Sequence, residues 1–169
     1  MRIKDDGLMG MRCGMSPYGI RRQILITEPR SVRDAENVFS AAAMIVGEYP
    51  CVEIVSPNFT NTAVDNVGRD ILGGGWRVVE CSSDRDLQRL IKVCYTVVSD
   101  MRSICELSAS IGKPILVTLP DYQGRLPFCA RLVGTEVGPV YRGMRELLEN
   151  DALYYAMENS HIYCRSISL

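Results

Sequence analysis

From Gln23 onward, short apolar runs alternate with longer amphipathic stretches. Ile24-Leu25-Ile26 contains no polar member and is too short for a helix, which predicts a strand buried on both faces. Asp34 is then placed to cap a helix. Ala35, Val38, Phe39, Ala42, Ile45, Val46 and Tyr49 follow at helical spacing, and Pro50 ends the pattern. Val52-Glu53-Ile54-Val55 predicts a second strand. A weaker helical pattern over 63–72 stops at Gly73-Gly74-Gly75. Val78-Val79 is a third short strand, and Asp84 begins a helix whose Leu87, Leu90, Ile91 and Cys94 share one face. Tyr95-Thr96-Val97-Val98 is a fourth strand. A helix over 102–111 ends at Gly112, and Pro114 opens the strand Ile115-Leu116-Val117. Leu132-Val133 predicts a last short strand, followed by helices near 139–149 and 152–158. Residues 1–20 are rich in Gly and Met and carry no period, so they read as an irregular N-terminal arm ahead of one domain over 21–169.

Strands alternating with helices build βαβ units with right-handed crossovers. The expectation is therefore a single α/β, Rossmann-like domain whose parallel sheet is covered by helices on both faces. Ligands of such sheets sit beyond the carboxyl ends of the strands, which directs attention to the loops after Ile26, Val55, Val98 and Val117. The glycine run at 73–75 does not fit a phosphate loop. Such a loop leads from a strand into a helix, whereas these glycines follow a helix and precede a strand, so they read as a helix stop.

Composition narrows the functional classes. The chain has 169 residues, 47% of them apolar and 23% charged, as in a soluble globular domain. Its 19 basic and 20 acidic side chains leave a net charge of -1, which points to neither a nucleic-acid partner nor an anionic membrane. The seven cysteines (Cys13, Cys51, Cys81, Cys94, Cys105, Cys129 and Cys164) are scattered, with no Cys-x-x-Cys pair, and His161 is the single histidine. A zinc site needs clustered ligands, so no metal and no cofactor is expected. Most of the cysteines read as small core residues in a reducing compartment. Glycines and Pro17 interrupt the N-terminal stretch, and no run reaches the roughly 20 apolar residues of a membrane span. A cytoplasmic location is expected.

The loops singled out above carry recognisable residues. After the first strand stand Thr27-Glu28-Pro29-Arg30-Ser31-Val32-Arg33, against a T-x-H-R-R-E-N pattern. After the second stand Ser56-Pro57-Asn58-Phe59-Thr60-Asn61-Thr62-Ala63-Val64, against Y-P-V-H-x-N-P-x-V. After the fourth, Ser99-Asp100-Met101-Arg102-Ser103-Ile104-Cys105-Glu106-Leu107 leads through Ser108-Ala109-Ser110-Ile111 to Gly112-Lys113-Pro114-Ile115-Leu116-Val117. The pattern there is T-D-S-G-G-I-Q-E-E-A-P-S-L-G-K-P-V-L-V. Arg131-Leu132-Val133-Gly134-Thr135 matches R-L-V-G-T. Taken in this collinear order, from about 23 to 160, the chain resembles the C-terminal half of the non-hydrolysing UDP-N-acetylglucosamine 2-epimerases.

The resemblance implies a ligand and also a loss. In that family the S-G-G turn opens a helix whose backbone N–H groups face the UDP phosphates, and glycine permits the close approach. Here Met101-Arg102-Ser103 occupy the turn. Arg102 is either an exposed helix-start arginine or a guanidinium replacing the backbone donors. The glutamate that holds the ribose hydroxyls aligns with Leu107, and the two loop histidines align with Pro29 and Phe59. Arg125 aligns with the arginine of a later, shortened E-R-P-E loop. Lys113 reads as a lysine favouring the dipole at a helix C-terminus. By resemblance, the family's acid and base residues lie on a first domain, and a final helix packs back across it; neither has a counterpart in this chain.

No catalytic residue is assigned. Candidate nucleotide-binding residues are Arg30, Asp100, Arg102, Ser103, Glu106 and Arg125. Two functions compete. One is an inactive epimerase-like domain that acts through protein association, with itself, with a complete epimerase or within a larger assembly. The other is a UDP-sugar-binding half that works with a separate chain. An active epimerase would need a partner domain. The face turned toward the absent domain is expected to be apolar or to be covered by residues 1–20.

Overall fold

A computed structural model describes residues 21–160. The arm expected over 1–20, together with His161 and Cys164, lies outside the described residues. The elements in order are β1 (Arg22–Ile26), α1 (Val32–Glu48), β2 (Val52–Pro57), α2 (Thr62–Leu72), a 3-10 turn (Gly73–Gly75), β3 (Trp76–Val79), α3 (Asp84–Val93), β4 (Thr96–Ser99), α4 (Arg102–Ile111), β5 (Ile115–Val117), β6 (Ala130–Leu132), α5 (Val137–Glu149) and α6 (Asp151–Glu158). All six strands pair in parallel in the order β3-β2-β1-β4-β5-β6, the doubly wound arrangement.

The central strands are buried on both faces, and their side chains alternate between two cores. Ile24 and Ile26 of β1, Val52 and Ile54 of β2, Val98 and Leu116 join the core covered by α1, α2, α5 and α6. Leu25, Val55, Val97, Ile115 and Val117 join the opposite core beneath α3 and α4. The period of two across a pleated strand explains why these short strands contain no polar residue at their centres. Phe39, Ile45, Met144 and Leu147 fill the first core with no exposed surface. Phe39 packs its ring 5.6 Å from that of Trp76, and Phe59 lies 5.7 Å from Trp76. Tyr95 stacks on Tyr154 at 4.1 Å, which fastens α6 to the body, and donates its hydroxyl to the Leu147 carbonyl of α5.

Several boundaries differ from the sequence reading, three of them for a clear physical reason. Ser31, not Asp34, caps α1: its Oγ accepts from the Asp34 N–H at 3.1 Å and donates to the Asp34 carboxylate at 2.8 Å. Asp34 is the third helical residue and complements the cap. β6 begins at Ala130, two residues before Leu132, because its pairing to β5 starts opposite Ile115. As an exposed edge it has no apolar run to announce it. α5 begins at Val137, so Pro139 falls in the first turn, where a missing N–H costs no helical bond. The glycine run is a helix stop: Gly73 ends α2 with φ +51°. Cys81, Cys94 and Cys105 carry free thiols, while Cys51 is disulfide-bonded.

Gly68 makes the packing of α2 testable. A Cβ there would lie 2.7 Å from the Trp76 ring, which is held by its aromatic neighbours and by an indole N–H bond to Ser56. Alanine normally favours a helix over glycine by about 1 kcal/mol. Gly68→Ala should nevertheless lower stability by about 1–3 kcal/mol, the usual cost of overpacking, as measured by urea unfolding.

Candidate functional site

β1 and β4 are neighbours, but the chain leaves β1 for α1 on one face and leaves β4 for α4 on the other. The crevice this opens is where a doubly wound sheet binds its ligands. Its floor is polar and closely bonded. Thr27 Oγ1 donates to Ser99 Oγ at 2.7 Å, and the same oxygen accepts the Met101 N–H at 3.1 Å. This cross-link fixes the start of α4 relative to the end of β1.

Asp100 lies beside it and is only 4% exposed. Its Oδ2 accepts the Arg30 backbone N–H at 2.9 Å, and the Arg30 guanidinium is 3.9 Å away. Its Oδ1 has no hydrogen-bond partner. Burial pushes its pKa upward, opposed by the Arg30 bond and charge and reinforced by Asp34. Asp100 is thus a structural acceptor that carries an imperfectly compensated charge.

An open cleft of about 300 Å³ runs along this edge, lined among others by Glu28, Asn58, Ser82, Asp84, Leu87, Met101 and Ile104. Glu28 and Asp84 are acidic, and among the described residues no lysine or arginine lines the cleft. The Glu28 carboxylate reaches across to the loop after β2 and accepts from the Thr60 N–H at 2.8 Å and the Asn61 N–H at 2.9 Å. Asn58 Oδ1 similarly accepts the Cys81 N–H at 2.8 Å, tying that loop to the one before α3. Sequence reading placed the α3 start at Asp84 but did not join Glu28, Asn58 or that helix start to the site. Glu28 falls at the unspecified position of its motif, and its partner is 32 residues away, so nothing local marked it.

The six candidate residues separate into three groups. Arg30 and Asp100 meet at the crevice. Arg102 and Glu106 pair at 3.1 Å on the exposed side of α4, with Ser103 exposed on the same turn. Arg102 turns away from the cleft: it donates to the Gln123 carbonyl at 3.2 Å and lies 5.7 Å over the Tyr122 ring. Arg125 is exposed beside Phe128, at 5.3 Å from its ring, and makes no contact with the other five. Lys113 is buried and donates to the Cys94 carbonyl at 2.6 Å. It therefore serves the C-terminus of α3, the neighbouring helix, rather than the end of its own. Among the described residues, no group of His, Cys, Asp or Glu could hold a metal ion. The sequence predicts a face that is apolar or covered by residues 1–20; its described rim mixes Glu28, Asn58, Ser82, Ser83 and Asp84 with Leu87 and Met101, and residues 1–20 lie outside the described residues. The strand ends bring polar loops to that edge, while the apolar residues are consumed by the two cores.

No protein-family model matches the chain. A curated relative from Ralstonia nicotianae, named "Probable UDP-N-acetylglucosamine 2-epimerase", is 31% identical over 93% of this chain and 44% of its own length. The UDP-N-acetylglucosamine 2-epimerase of Bacillus subtilis is 27% identical over 86% of this chain and 40% of its own. This chain is related to the UDP-N-acetylglucosamine 2-epimerases, as their C-terminal half. It spans less than half the length of these curated relatives. The S. aureus MnaA-UDP co-structure superposes with a TM-score of 0.74 at 26% identity, over 85% of this chain and 41% of that one. A glycosyl transferase C-terminal domain from Francisella tularensis shares the fold alone, with a TM-score of 0.65 at 12% identity over 89% of this chain and 88% of that one.

Against the epimerase pattern, three of the altered positions have become packing. Phe59, at a loop histidine, joins the Phe39 and Trp76 rings. Leu107, at the ribose glutamate, packs on the core beneath α3 and α4. Pro29 is buried. Met101, the N-cap of α4, supplies no side-chain hydrogen bond there and is 44% exposed.

The buried carboxylate gives the epimerase-like domain a pH signature. Because burial raises the Asp100 pKa in the folded chain, the folded form holds more protons than the unfolded one in the window just above the ordinary carboxylate value. Stability therefore falls as pH rises through that window. Asp100→Asn retains an acceptor for Arg30 and removes the charge. It should raise the melting temperature at pH 7 by about 2–4 °C, as 1 kcal/mol does in a domain of this size, and should give no gain near pH 4, as checked by scanning calorimetry at both pH values.

Proposed function

We propose that this epimerase-like domain does not catalyse sugar epimerisation and acts through association with another protein, as a homo-oligomer, with a full-length epimerase or within a larger assembly. One observation carries the reading. At the start of α4, where the epimerase pattern has its glycine turn, this chain presents Met101 and a cleft that, among the described residues, is lined by Glu28 and Asp84 and by no lysine or arginine. A diphosphate needs exposed backbone donors and positive potential at a helix N-terminus. This edge offers a thioether and two carboxylates, and the guanidinium of Arg102 is directed elsewhere. Leu107 provides no acceptor for a ribose hydroxyl.

The opposing reading, a UDP-sugar-binding half completed by a separate chain, is favoured by the cleft of about 300 Å³ standing at the right edge of the sheet. An active epimerase assembled with a partner domain ranks behind both. A cytoplasmic setting is supported by the free thiols of Cys81, Cys94 and Cys105, and the disulfide at Cys51 weighs against it. Among the described residues no helix is long and apolar enough to cross a membrane.

Titration calorimetry with UDP separates these readings. Each lost hydrogen bond to a charged group costs about 1.5–3 kcal/mol, so two or three losses remove affinity by orders of magnitude. No binding is expected up to about 1 mM UDP, and no UDP-N-acetylmannosamine should form from UDP-N-acetylglucosamine. A micromolar dissociation constant would favour the binding half. Replacing Arg102 and Ser103 by glycine together with Leu107→Glu should restore measurable UDP binding.

A further inference from the structure

The segment 118–129 joins β5 to β6, and no helix or strand lies within it. Because β5 and β6 are parallel, it must run back along the sheet beside α4, where Leu119 and Cys129 are buried and Tyr122 and Leu126 pack against the same core. Arg102 reaches it from the first turn of α4 with two contacts, while a third holds the guanidinium on its own helix. Nε pairs with Glu106 Oε1 at 3.1 Å on the same helix face, Nη1 donates to the Gln123 carbonyl at 3.2 Å, and the guanidinium lies 5.7 Å over the Tyr122 ring. A fourth tie lies beneath, where the Cys105 thiol donates to the Tyr122 hydroxyl at 3.8 Å. Gly124 turns the chain at φ +100°, a conformation that side chains disfavour, and passes within 3.7 Å of Arg102 Nη2, measured from the position of an added Cβ. A planar fork that can stack and donate at once suits this arrangement, and an ammonium does not.

We infer that Arg102 is a latch: it pins the β5–β6 segment against α4. The inference goes beyond the proposed function and does not depend on it, since its test involves no nucleotide. Arg102 stands where the epimerase pattern has a glycine, so the latch is a property of this chain's own sequence.

Arg125 provides the readout. It is exposed and follows Gly124 directly, so trypsin can cut after it whenever the segment lifts. Cleavage of a transiently opened segment follows the open population. The full chain is digested, and the 125–126 cut alone is followed by mass spectrometry, because the separate site at 102 is lost in Arg102→Ala but kept in the other variants. Removing an exposed ion pair and a cation–π contact should raise this cleavage roughly 5- to 10-fold in Arg102→Ala. Arg102→Lys, which keeps the charge without the fork, should show most of the increase, and Glu106→Gln, which breaks one limb, a smaller one. Circular dichroism checks that each variant is folded, and hydrogen exchange over 119–126 gives an independent measure of opening. Unchanged cleavage and unchanged exchange in folded Arg102→Ala overturn the inference. Equal rates in wild type and Arg102→Lys would also refute the role of the fork and leave only charge.

Discussion

A parallel sheet must be covered on both faces, and here that demand falls hardest on β1 and β4. Their three-residue register, Ile24 to Thr96 through Ile26 to Val98, sits at the centre of six strands and divides the apolar side chains between two cores. Everything else follows from serving both cores with few residues. The helices α1, α2, α5 and α6 share one face, and α3 and α4 take the other. The polar residues are left at the strand ends, where the Thr27 to Ser99 bond closes the gap between diverging chains. The crevice is therefore a by-product of topology, present whether or not a ligand occupies it.

The central strands were legible because burial on both faces leaves an unbroken apolar signature, as in Ile24-Leu25-Ile26 and Ile115-Leu116-Val117. The helices α1 and α4 were legible from their spacing and their stops. Legibility failed at the edge, where Ala130-Arg131-Leu132 is half exposed and looks like loop, and at the α1 cap, where Ser31 and Asp34 are both competent and only geometry chooses. It failed more deeply at the crevice. The reach of Glu28 to Thr60, or of Arg102 to Gln123, joins residues far apart in sequence, and no pattern within a motif announces such a partner.

The relation to the epimerases separates what a fold needs from what a ligand needs. Gly112 keeps the left-handed turn that ends α4, and Lys113 keeps a buried bond that braces α3. Both are framework, and both match the family pattern. Phe59, Leu107 and Arg102 depart from it, and each has found neighbours within the chain: an aromatic cluster, a core and a loop. A side chain drawn inward to satisfy its own domain is withdrawn from anything that approaches from outside.

The aromatic cluster on the α2 side has an optical consequence. The chain holds a single tryptophan, Trp76, and its indole is wedged between Phe39 and Phe59 with its N–H bonded to Ser56. Intrinsic emission excited at the red edge of the aromatic band therefore reports one location, the layer formed by α1, α2 and β3. The α3–α4 layer on the reverse side of the sheet is dark at that wavelength. Any discrepancy between emission and far-ultraviolet dichroism during denaturation would then measure how tightly the two layers are coupled, without a label or a substitution.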